Sequence, residues 1–477
     1  MDKVLTVSEM READNYTINV LNVPSAELMR RAGLSIADEA EKASKMLNTD
    51  EITVVCGVGN NGGDGIVCAE ELRKRGYNVG VYALSGNCSD GCMREKLAYK
   101  GRYLRHITGA IVVDCIFGTG LSRKIEGEAA DIIAEINGSG AYVISADIPS
   151  GLNGDNGLAE GCAVNADKTV VIGEYKNGLF LNDGLDLCGE IVKKDIGIVC
   201  PRSDYAGICF DGDVKKFFPE RKRNTHKGSY GKANLVAGSE NYIGAAALSV
   251  QSALMSGCGL VGLISCEKVK MCLVAKFPQA IYSDKIDLTA DAIALGMGCG
   301  ASETLYRQTA YILNKYNGAL VIDADGLNAL AKYGIDILKD KNCKVILTPH
   351  LKEFSRLCGK SVREISSSPV LYAQRFAKEF GVTLVLKSAS TVICDGSNTV
   401  INVTGTTALA KGGSGDILAG YICGSLARGL QPFEAAVCSA YVLGRAAEIS
   451  SKQKGDYCVT AKDIINNLHF SVKSLTE

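Results

Sequence analysis

The chain has 477 residues, more than one hydrophobic core normally organises, so two domains are expected. Apolar residues make up 47% of the sequence and charged residues 22%, proportions that are typical of globular enzymes and argue against a disordered chain. The 52 Lys and Arg residues nearly balance the 53 Asp and Glu residues, without a long basic block. This balance argues against nucleic acid or an anionic membrane as a partner.

The 19 cysteines stand mostly alone in apolar stretches, and they form no Cys-x-x-Cys pair. They are predicted to be reduced thiols, and because the charged N-terminal residues lack an apolar signal core, a cytoplasmic protein is expected. Residues 241–266 carry no charge and are long enough to suggest a membrane span. The polar residues and glycines that interrupt this stretch favour a buried helix, a turn and a buried strand instead.

The first half opens with apolar residues at helical spacing over residues 6–43, which predicts helices packed on a sheet or on a partner subunit. Short β-rich runs then alternate with helical patterns; the runs are EITVVCG, NVGVYAL, AIVVDCIFG and AYVISADIPSG. Continuous apolar strands separated by crossover helices predict a parallel sheet covered on both faces. Ligands are expected at the carboxyl ends of these strands.

The first candidate site is a polar run that follows the strand ITVVCG and opens a predicted helix; its residues are Asn60, Asn61, Gly62, Gly63, Asp64 and Gly65. The glycines allow backbone N–H groups to approach a ligand, and the N-terminus of the helix favours a phosphate. A plain strand-to-helix turn is the alternative. The two amides and the carboxylate in this context favour a ligand site.

Two more polar groups follow apolar strands: Asp114 with the segment Gly118–Arg123, and Asp147 with Ser150. These carboxylates could merely cap helices. Because neighbouring parallel strands end at one edge of a sheet, we expect them to converge with Asn61 on one crevice. Their oxygens suit a hard cation such as an alkali metal or magnesium, and Arg123 could meet a phosphate.

The alternation breaks between Cys200 and Lys232, where prolines, glycines and mixed charges occur. We place the boundary near Gly207, which divides the chain into domains of residues 1–206 and 207–477. A second α/β series follows, made of KANLVAGS, AAALSVQSALMSG, LVGLISC, AIALGMG, ALVIDADG, CKVILTPH, VTLVLKSAS, TVICDG and a helix-rich tail. The predicted fold class is therefore α/β in both domains.

In the second half, the run Lys411–Asp416 (KGGSGD) precedes the apolar helix ILAGYICGSLARG. Small residues at a helix N-terminus expose N–H groups as an anion hole, and Asp416 is placed to take a proton from an attacking hydroxyl. These features are typical of phosphoryl transfer, and an Asp cap after a glycine turn is the alternative. The functional interpretation is strengthened by polar residues at other strand ends, namely Gly298, Asp323, Asp325, His350, Glu353, Lys387 and Thr391.

His350 could be a packing residue, which is the commoner fate of a lone histidine, but it ends an apolar strand on the ligand-binding edge. The sequence contains no Walker A motif, no nucleophile elbow and no Gly-x-Gly-x-x-Gly fingerprint. These absences argue against P-loop kinases, α/β-hydrolases and ordinary dehydrogenases.

Taken in order, these motifs resemble the family of bifunctional NAD(P)H-hydrate repair enzymes, in which an NAD(P)HX epimerase is fused to an ADP- or ATP-dependent NAD(P)HX dehydratase. The resemblance covers nearly the whole chain, through TVSEMREAD, LMRRAG, NNGGDG, VDCIFGTGL, SADIPSGL, HKGSYG, VAGSENYIGAA, IDADGLNAL, TPHLKEFSRL, KSASTVI, GGSGDILAG and VTAKDI. It implies a Rossmann-like, three-layer epimerase domain (1–206) and a ribokinase-like dehydratase domain (207–477).

For the first domain, the resemblance implies that the substrate NADHX or NADPHX is bound by Asn60, Asn61, Gly62, Gly63, Asp64, Gly118, Thr119, Gly120, Leu121, Ser122, Arg123, Lys124 and Asp147. It also implies a potassium ion held by Asn61, Asp114 and Ser150. Asp147 is the expected catalytic residue, because epimerisation requires a group that handles a proton.

For the second domain, the resemblance implies hydrate binding by Ala246, Gly298, His350 and Asp416, with Asp416 as the catalytic base. The adenine nucleotide, ADP or ATP with Mg²⁺, would be bound by Lys387, Ser388, Ala389, Ser390, Thr391 and Gly415. The sequence departs from the family pattern in three places, and these bear on how the nucleotide approaches. Ser388 replaces a customary Gly, Met297 replaces a customary Pro, and Thr406-Thr407 stand where Asn-Pro-like residues are usual.

The hydrate carries water across the C5=C6 bond of the nicotinamide ring, so C6 is a hemiaminal carbon. Epimerisation can pass through loss of hydroxide to a ring iminium or through ring opening, with Asp147 handling the proton. Dehydration of the S hydrate would start when Asp416 deprotonates the C6 hydroxyl, whose oxygen attacks the terminal phosphoryl group of ADP or ATP. AMP would leave from ADP, and ADP from ATP. Phosphate would then leave with donation of the nitrogen lone pair, and loss of the C5 proton would restore NAD(P)H.

Two alternatives remain open at this point. A ribokinase-like domain with GGSGD could belong to a small-molecule kinase, whose product stays phosphorylated. The N-terminal domain could be a non-catalytic dinucleotide-binding module, because a fold by itself does not establish an activity. We also expect the protein to be a homo-oligomer.

Overall fold

The computed structural model describes residues 1–121 and 123–477, so the predicted substrate-binding residue Ser122 lies outside the described part of the chain. The chain forms two compact units, Asp2–Tyr205 and Ala206–Glu477, and Met1 groups with the second. Each unit contains a parallel or largely parallel sheet with helices, which confirms the α/β class. Within the described residues, every helix is too short or too polar to cross a bilayer.

The first unit alternates strands and helices. Its elements are β1 (Asp2–Leu5), α1 (Val7–Asn19), α2 (Ser25–Leu47), β2 (Glu51–Cys56), α3 (Asn60–Lys74), β3 (Asn78–Ala83), α4 (Asp90–Ala98), β4 (Arg102–Tyr103), β5 (Ile111–Cys115), α5 (Glu128–Gly138), β6 (Tyr142–Ala146), β7 (Lys168–Ile172), β8 (Tyr175–Lys176), α6 (Gly184–Leu187) and β9 (Glu190–Lys194). The sheet has the order β4-β3-β2-β5-β6-β7-β9 with parallel pairings, and β1 pairs with β8.

The sheet of the first unit is buried on both faces. On β2 and β5, Val54 and Val113 belong to a core cluster with residues of α2 and α3, whereas Val55 and Val112 belong to a second cluster with residues of α5. Because successive side chains of a strand point to opposite faces, these helices lie on opposite sides of the sheet. The first unit is therefore the three-layer structure that the sequence predicts.

The second unit has the same alternation and ends in helices. Its elements are β10 (Ala206–Ile208), α7 (Asp211–Lys215), β11 (Lys232–Val236), α8 (Ile243–Met255), β12 (Leu260–Ile264), α9 (Glu267–Leu273), β13 (Ile281–Ser283), β14 (Ala292–Leu295), α10 (Glu303–Lys315), β15 (Ala319–Ile322), α11 (Asp325–Tyr333), β16 (Lys344–Leu347), α12 (Leu351–Cys358), α13 (Val362–Ser367), α14 (Pro369–Phe380), β17 (Thr383–Leu386), β18 (Thr391–Cys394), β19 (Thr399–Asn402), α15 (Ser414–Ala427), α16 (Pro432–Lys454) and α17 (Ala461–Thr476).

The sheet of the second unit is mixed. Its strands follow the order β13-β12-β11-β14-β15-β16-β17-β18-β19-β10. The pairings from β13 to β17 are parallel, and β18 is antiparallel to both of its neighbours. The carboxyl ends of β14, β15, β16 and β17 therefore meet at one edge, where a ligand is expected.

Helix α15 runs through the core of the second unit and packs closely on α8. A Cβ on Gly420 would lie 2.2 Å from the carbonyl oxygen of Ser249, and a Cβ on Gly424 would lie 2.0 Å from the Oγ of Ser256. Only glycine permits this approach of the two helices. The uncharged stretch 241–266 accordingly contains the buried helix α8, a turn and the strand β12, as the sequence analysis predicts.

Candidate functional site

The first site forms where β2 meets α3. Helix α3 begins at Asn60 after the N-cap residue Gly59, so the run Asn60–Gly65 forms the first turns of the helix rather than a loop ahead of it. Gly59 provides no side-chain cap, which leaves the first N–H groups of α3 available to an anion. Gly62 packs under this turn, and a Cβ on it would lie 2.1 Å from the carbonyl oxygen of Gly57.

Asp114 ends β5 and is fully buried. Its carboxylate accepts hydrogen bonds from the backbone N–H groups of Ile116 (3.2 Å) and Ser150 (2.9 Å) and from the hydroxyls of Ser145 (2.8 Å) and Ser150 (2.6 Å). Burial raises the pKa of Asp114, and the hydrogen bonds from Ser150 oppose the rise. These four donors are all neutral, so an ionised Asp114 has no counter-charge from them.

A potassium ion suits this environment. A monovalent cation would supply the missing positive charge, and Asp114 and Ser150 offer oxygen ligands, the type that hard cations prefer. The Nδ2 group of Asn61 is buried without a hydrogen-bond partner in the described structure, and a 180° rotation of the amide would place its oxygen at the position of that group. Among the described residues, no group of three His, Cys, Asp or Glu side chains is arranged to hold a metal ion.

Asp147 follows β6 in a left-handed backbone conformation, with φ of +68°. A non-glycine residue adopts such a conformation at a cost that is most often accepted at functional sites. Its carboxylate accepts hydrogen bonds from the Nζ of Lys176 and from the backbone N–H of Ile172 (3.3 Å). The Lys176 side chain is only 1% exposed, and a buried ammonium requires such a partner, so the ion pair orients Asp147.

A cavity of about 760 Å³ brings eight of the predicted substrate-binding residues of the first unit together, whereas the fully buried Asp114 and Ser150 do not line it. A Cβ on Gly118 would lie 3.5 Å from both the Cγ of Asn61 and the Oδ2 of Asp147, so these two side chains flank one point of the cavity. The predicted residues that line it are Asn60, Asn61, Asp64, Gly118, Thr119, Gly120, Leu121 and Asp147. Gly62 and Gly63 are buried behind the lining, whereas Arg123 and Lys124 are exposed and do not line it.

Two charged residues of this cavity were missed by the sequence analysis. Lys176 ends the two-residue strand β8, which was not predicted, and Asp14 lies on α1. Burial, with help from Asp147, raises the pKa of Asp14 to about 6, although Lys176 opposes the rise. Burial also raises the pKa of Asp64 well above its ordinary range, and the neighbouring Asp147 and Asp14 add to that rise. Asp14 could have been found from the sequence, because it is a charged residue within the apolar stripe of α1.

The second site lies at the carboxyl ends of β15, β16 and β17. The buried Asp323 accepts hydrogen bonds from the Nζ of Lys387 (2.8 Å) and the Oγ1 of Thr348 (2.7 Å). A Cβ on Gly415 would lie 3.3 Å from the Nζ of Lys387 and 3.6 Å from the Oδ2 of Asp323. The N-terminal turn of α15 therefore sits directly beside this ion pair.

Asp416 stands in the first turn of α15, after the N-cap residue Gly413. The alternative interpretation of Asp416 as the helix cap is therefore wrong. Burial raises the pKa of Asp416 to about 6; Asp323 and Asp325 add to the rise and Lys387 opposes it. A carboxylate with such a pKa is a suitable proton acceptor near neutral pH.

His350 is the N-cap residue of α12. Its Nδ1 accepts hydrogen bonds from the backbone N–H groups of Lys352 (3.1 Å) and Glu353 (3.2 Å), so the ring proton lies on Nε2. Burial lowers the pKa of His350, and the positive charges of Lys387 and Arg356 add to the effect. His350 therefore has a structural role as a cap, and its half-exposed ring remains neutral and can donate from Nε2.

The remaining predicted residues of the second unit occupy turns and packing positions. Residues 387–390 connect β17 to the antiparallel β18, which begins at Thr391, and Ala389 in this turn is exposed. Gly298 has a φ of +67°, and a Cβ on it would lie 2.9 Å from the Cβ of Ala245 on α8. Ala246 is fully buried. Gly298 and α8 thus form one wall near the strand ends.

Comparison with known proteins agrees with this geometry. Residues 233–469 match the family model described as NAD(P)H-hydrate dehydratase, and residues 25–178 match the one described as YjeF-related protein N-terminus. The bifunctional NAD(P)H-hydrate repair enzyme Nnr of Thermofilum pendens is 34% identical, over 100% of this chain and 97% of that protein. The protein of the same name from Moorella thermoacetica is 31% identical, over 99% and 97%.

Solved structures resemble the second unit. The ADP/ATP-dependent NAD(P)H-hydrate dehydratase from Bacillus subtilis, co-crystallised with ATP and Mg²⁺, is 32% identical with a TM-score of 0.53, over 57% of this chain and 99% of that one. A ribokinase-like superfamily protein from Enterococcus faecalis V583 is 25% identical with a TM-score of 0.50, over 57% and 96%. The predicted ribokinase-like fold of the C-terminal part is confirmed.

Two α/β units, each with an open helix N-terminus and an aspartate at the strand ends, define a two-domain enzyme of the nucleotide-binding α/β class. The full-length relatives specify it further. The chain belongs to the family of bifunctional NAD(P)H-hydrate repair enzymes, which combine NAD(P)HX epimerase and nucleotide-dependent NAD(P)HX dehydratase activities.

Proposed function

We propose that the Asp2–Tyr205 unit interconverts the R and S hydrates of NADH and NADPH in its 760 Å³ cavity, and that the Ala206–Glu477 unit dehydrates the S hydrate with ADP or ATP. The observation that carries this proposal is shared by both units. Each sets an aspartate, Asp147 or Asp416, close to a helix N-terminus with free N–H groups. The N–H groups suit phosphates, and the aspartates suit proton transfer at the C6 hydroxyl.

In the epimerase cavity, the N–H groups at the start of α3 would hold the pyrophosphate and place C6 beside Asp147. Both the iminium route and the ring-opening route require a proton to move at the C6 hydroxyl. Asp147 is held ready for that transfer by Lys176, which fixes the direction of its carboxylate. The volume of the cavity lies within the range of small-molecule sites.

Potassium is proposed at Asn61, Asp114 and Ser150, where it would supply the positive charge that the buried Asp114 lacks. Asp114 and Ser150 connect β5 to β6 and to Phe117, whose N–H donates to the Oγ of Ser150 at 2.8 Å. These residues therefore position the segment that leads to Gly118. Potassium should raise the melting temperature of the wild type but not of Asp114→Ala, and sodium-only buffer is the control.

In the dehydratase site, Asp416 would remove the proton of the C6 hydroxyl as the oxygen attacks the terminal phosphoryl group. The N–H groups of residues 412–415 would stabilise the developing charge, and Lys387, beside Gly415, would meet the phosphates. The carboxylate of Asp323 is an oxygen ligand of the kind that Mg²⁺ prefers, and Mg²⁺ would bind together with the nucleotide. Mg²⁺ would neutralise charge on the transferred group.

The deciding experiment supplies the full-length protein with mixed hydrates and either ADP or ATP. Recovery of the absorbance of reduced nicotinamide together with free phosphate supports the dehydratase, whereas a stable phosphorylated product would support a kinase. Absence of recovery with both nucleotides contradicts the proposal. Asn61→Ala and Asp114→Ala should slow exchange between the hydrate epimers while consumption of the S hydrate continues.

The expectations of a homo-oligomer and of a cytoplasmic location stay predictions. Light scattering coupled to size-exclusion chromatography tests the first, and fractionation of the source cells tests the second.

A further inference from the structure

Helix α1 contributes a stripe of side chains to the wall of the epimerase cavity. Met10, Asp14 and Ile18 follow one another at intervals of four residues and all line the cavity. Residues four apart lie on one face of a helix, so Asp14 is a carboxylate within an apolar stripe. Burying a carboxyl group among apolar side chains lowers the stability of the fold unless the group is hydrogen-bonded, so Asp14 does not serve stability here.

Asp14 differs in its contacts from the two other carboxylates of α1. Glu9 completes the cap of α1 through Thr6 and also pairs with Arg202 at 2.7 Å. Glu12 is exposed and lies 3.6 Å from Arg202. Asp14 forms neither a hydrogen bond nor an ion pair with any other residue in the described ranges, and it is turned towards the cavity.

Asp14 shares the cavity wall with several charged groups. The cavity wall also contains Arg11 on the same helix, Asp64 on α3, Arg94 on α4, and the pair Asp147 and Lys176. Burial raises the pKa of Asp14 to about 6, which allows proton exchange near neutral pH. Burial also raises the pKa of Asp64, with Asp147 and Asp14 adding to the rise.

We propose that Asp14 is a second proton-transfer residue of the epimerase site, acting together with Asp147 from a different wall of the cavity. This inference rests on the proposed epimerase function. It extends that function by assigning the two proton transfers of the reaction to two carboxyl groups that differ in environment.

The proposed step balances as follows. The carboxylic acid of Asp14 gives its proton to the C6 hydroxyl, the C6–O bond breaks with both electrons on oxygen, and water leaves. The lone pair of the ring nitrogen forms the C=N bond of an iminium. Water then adds to the other face of C6 and gives a proton to the carboxylate of Asp147, and the electron pair returns to nitrogen. Proton exchange with solvent restores both carboxyl groups, and the reverse reaction uses them in exchanged roles.

The test compares Asp14→Asn with Asp14→Glu and with the control Glu12→Gln, which makes the same change from carboxyl to amide on the exposed face of α1. Exchange between the epimers is followed in full-length protein and corrected for the uncatalysed rate. Asp14→Asn should lower kcat by about a hundredfold to ten-thousandfold with little change in KM. Asp14→Glu should restore part of the activity, and Glu12→Gln should match the wild type.

The pH profile gives a readout that a structural role would not move. The wild-type kcat should fall about tenfold per pH unit above pH 6, as Asp14 loses its proton, and this limb should vanish in Asp14→Asn. The proposal is overturned if Asp14→Asn keeps the wild-type kcat or changes only KM. It is also overturned if the activity of Asp14→Asn falls only in proportion to the amount of folded protein. A wild-type protein that fails to exchange the epimers would instead overturn the epimerase function itself.

Discussion

Replacement of Asp416 by Asn should separate catalysis from stability in the second unit. The change keeps the shape of the side chain but removes the proton acceptor, so dehydration should fall by about a hundredfold to ten-thousandfold. In the wild type, only the ionised carboxylate accepts a proton. Since the pKa of Asp416 is about 6, the rate at pH 5 should be about one tenth of the rate at pH 8, and the variant should lack this dependence.

The same raised pKa predicts that Asp416→Asn is more stable than the wild type at high pH. Burial raises the pKa of Asp416 from 3.8 to about 6, so the folded state binds the proton more tightly than the unfolded state. The contribution of Asp416 to stability is therefore greatest below pH 4 and is lost as the pH rises through 6. The full rise corresponds to an upper limit of about 3 kcal/mol at pH 8, which partial exposure to solvent reduces to about 1 to 2 kcal/mol.

Asp416→Asn should therefore melt about 2 to 6 °C above the wild type at pH 8 and at the same temperature at pH 4. Dehydration is followed by the absorbance of reduced nicotinamide with saturating nucleotide, and melting by calorimetry. The exposed Asp340→Asn is the matched control and should change neither quantity. A variant that melts lower at pH 8 while keeping its dehydration rate would refute the assignment of Asp416 as a buried base.

Three further changes test other parts of the structure. Gly62→Ala should lower the melting temperature of the first unit strongly, because its Cβ would lie 2.1 Å from the carbonyl oxygen of Gly57. Gly59→Ala is the control and should leave the melting temperature unchanged, because no heavy atom lies within 4 Å of the new Cβ. Equal melting temperatures of the two variants would contradict this packing. Lys176→Met should lower the epimerase kcat more than it changes KM, because Asp147 loses the ammonium that orients it, and an unchanged kcat would remove that role. All 19 cysteines are free thiols, so activity should survive strong reductant, and prompt inactivation would indicate an overlooked disulfide.

The sequence by itself predicted the fold class and placed the candidate site residues near strand ends. The apolar runs of β2, β5 and β6 are continuous enough to identify buried parallel strands, and polar residues lie at or shortly after the end of each. Because parallel strands of one sheet end at the same edge, their order in the chain was sufficient to predict that Asn61 and Asp147 meet at one cavity. Family motifs then assigned chemistry to residues that periodicity could only place at a strand end.

Short and partly exposed elements escaped the sequence analysis. The strands β4 and β8 have two residues each, and β9 has only two apolar residues beside three charged ones at the edge of the sheet, so none has a distinct apolar pattern. The strand β7 was not predicted either, and Lys176, which ends β8, was missed with these strands. The sequence also did not predict that α3 begins within the glycine run, because glycine has a low intrinsic preference for helix.

Only the tertiary structure decided the environment of each carboxylate. Asp14 and Glu12 are two residues apart on one helix, yet one lines the cavity and the other faces Arg202. The pKa of about 6 at Asp14 and at Asp416 arises mainly from burial by residues distant in the chain; neighbouring aspartates add to the rise, and Lys176 and Lys387 oppose it. Desolvation and charge coupling depend on distances across the folded protein, and local sequence patterns carry no information about those distances.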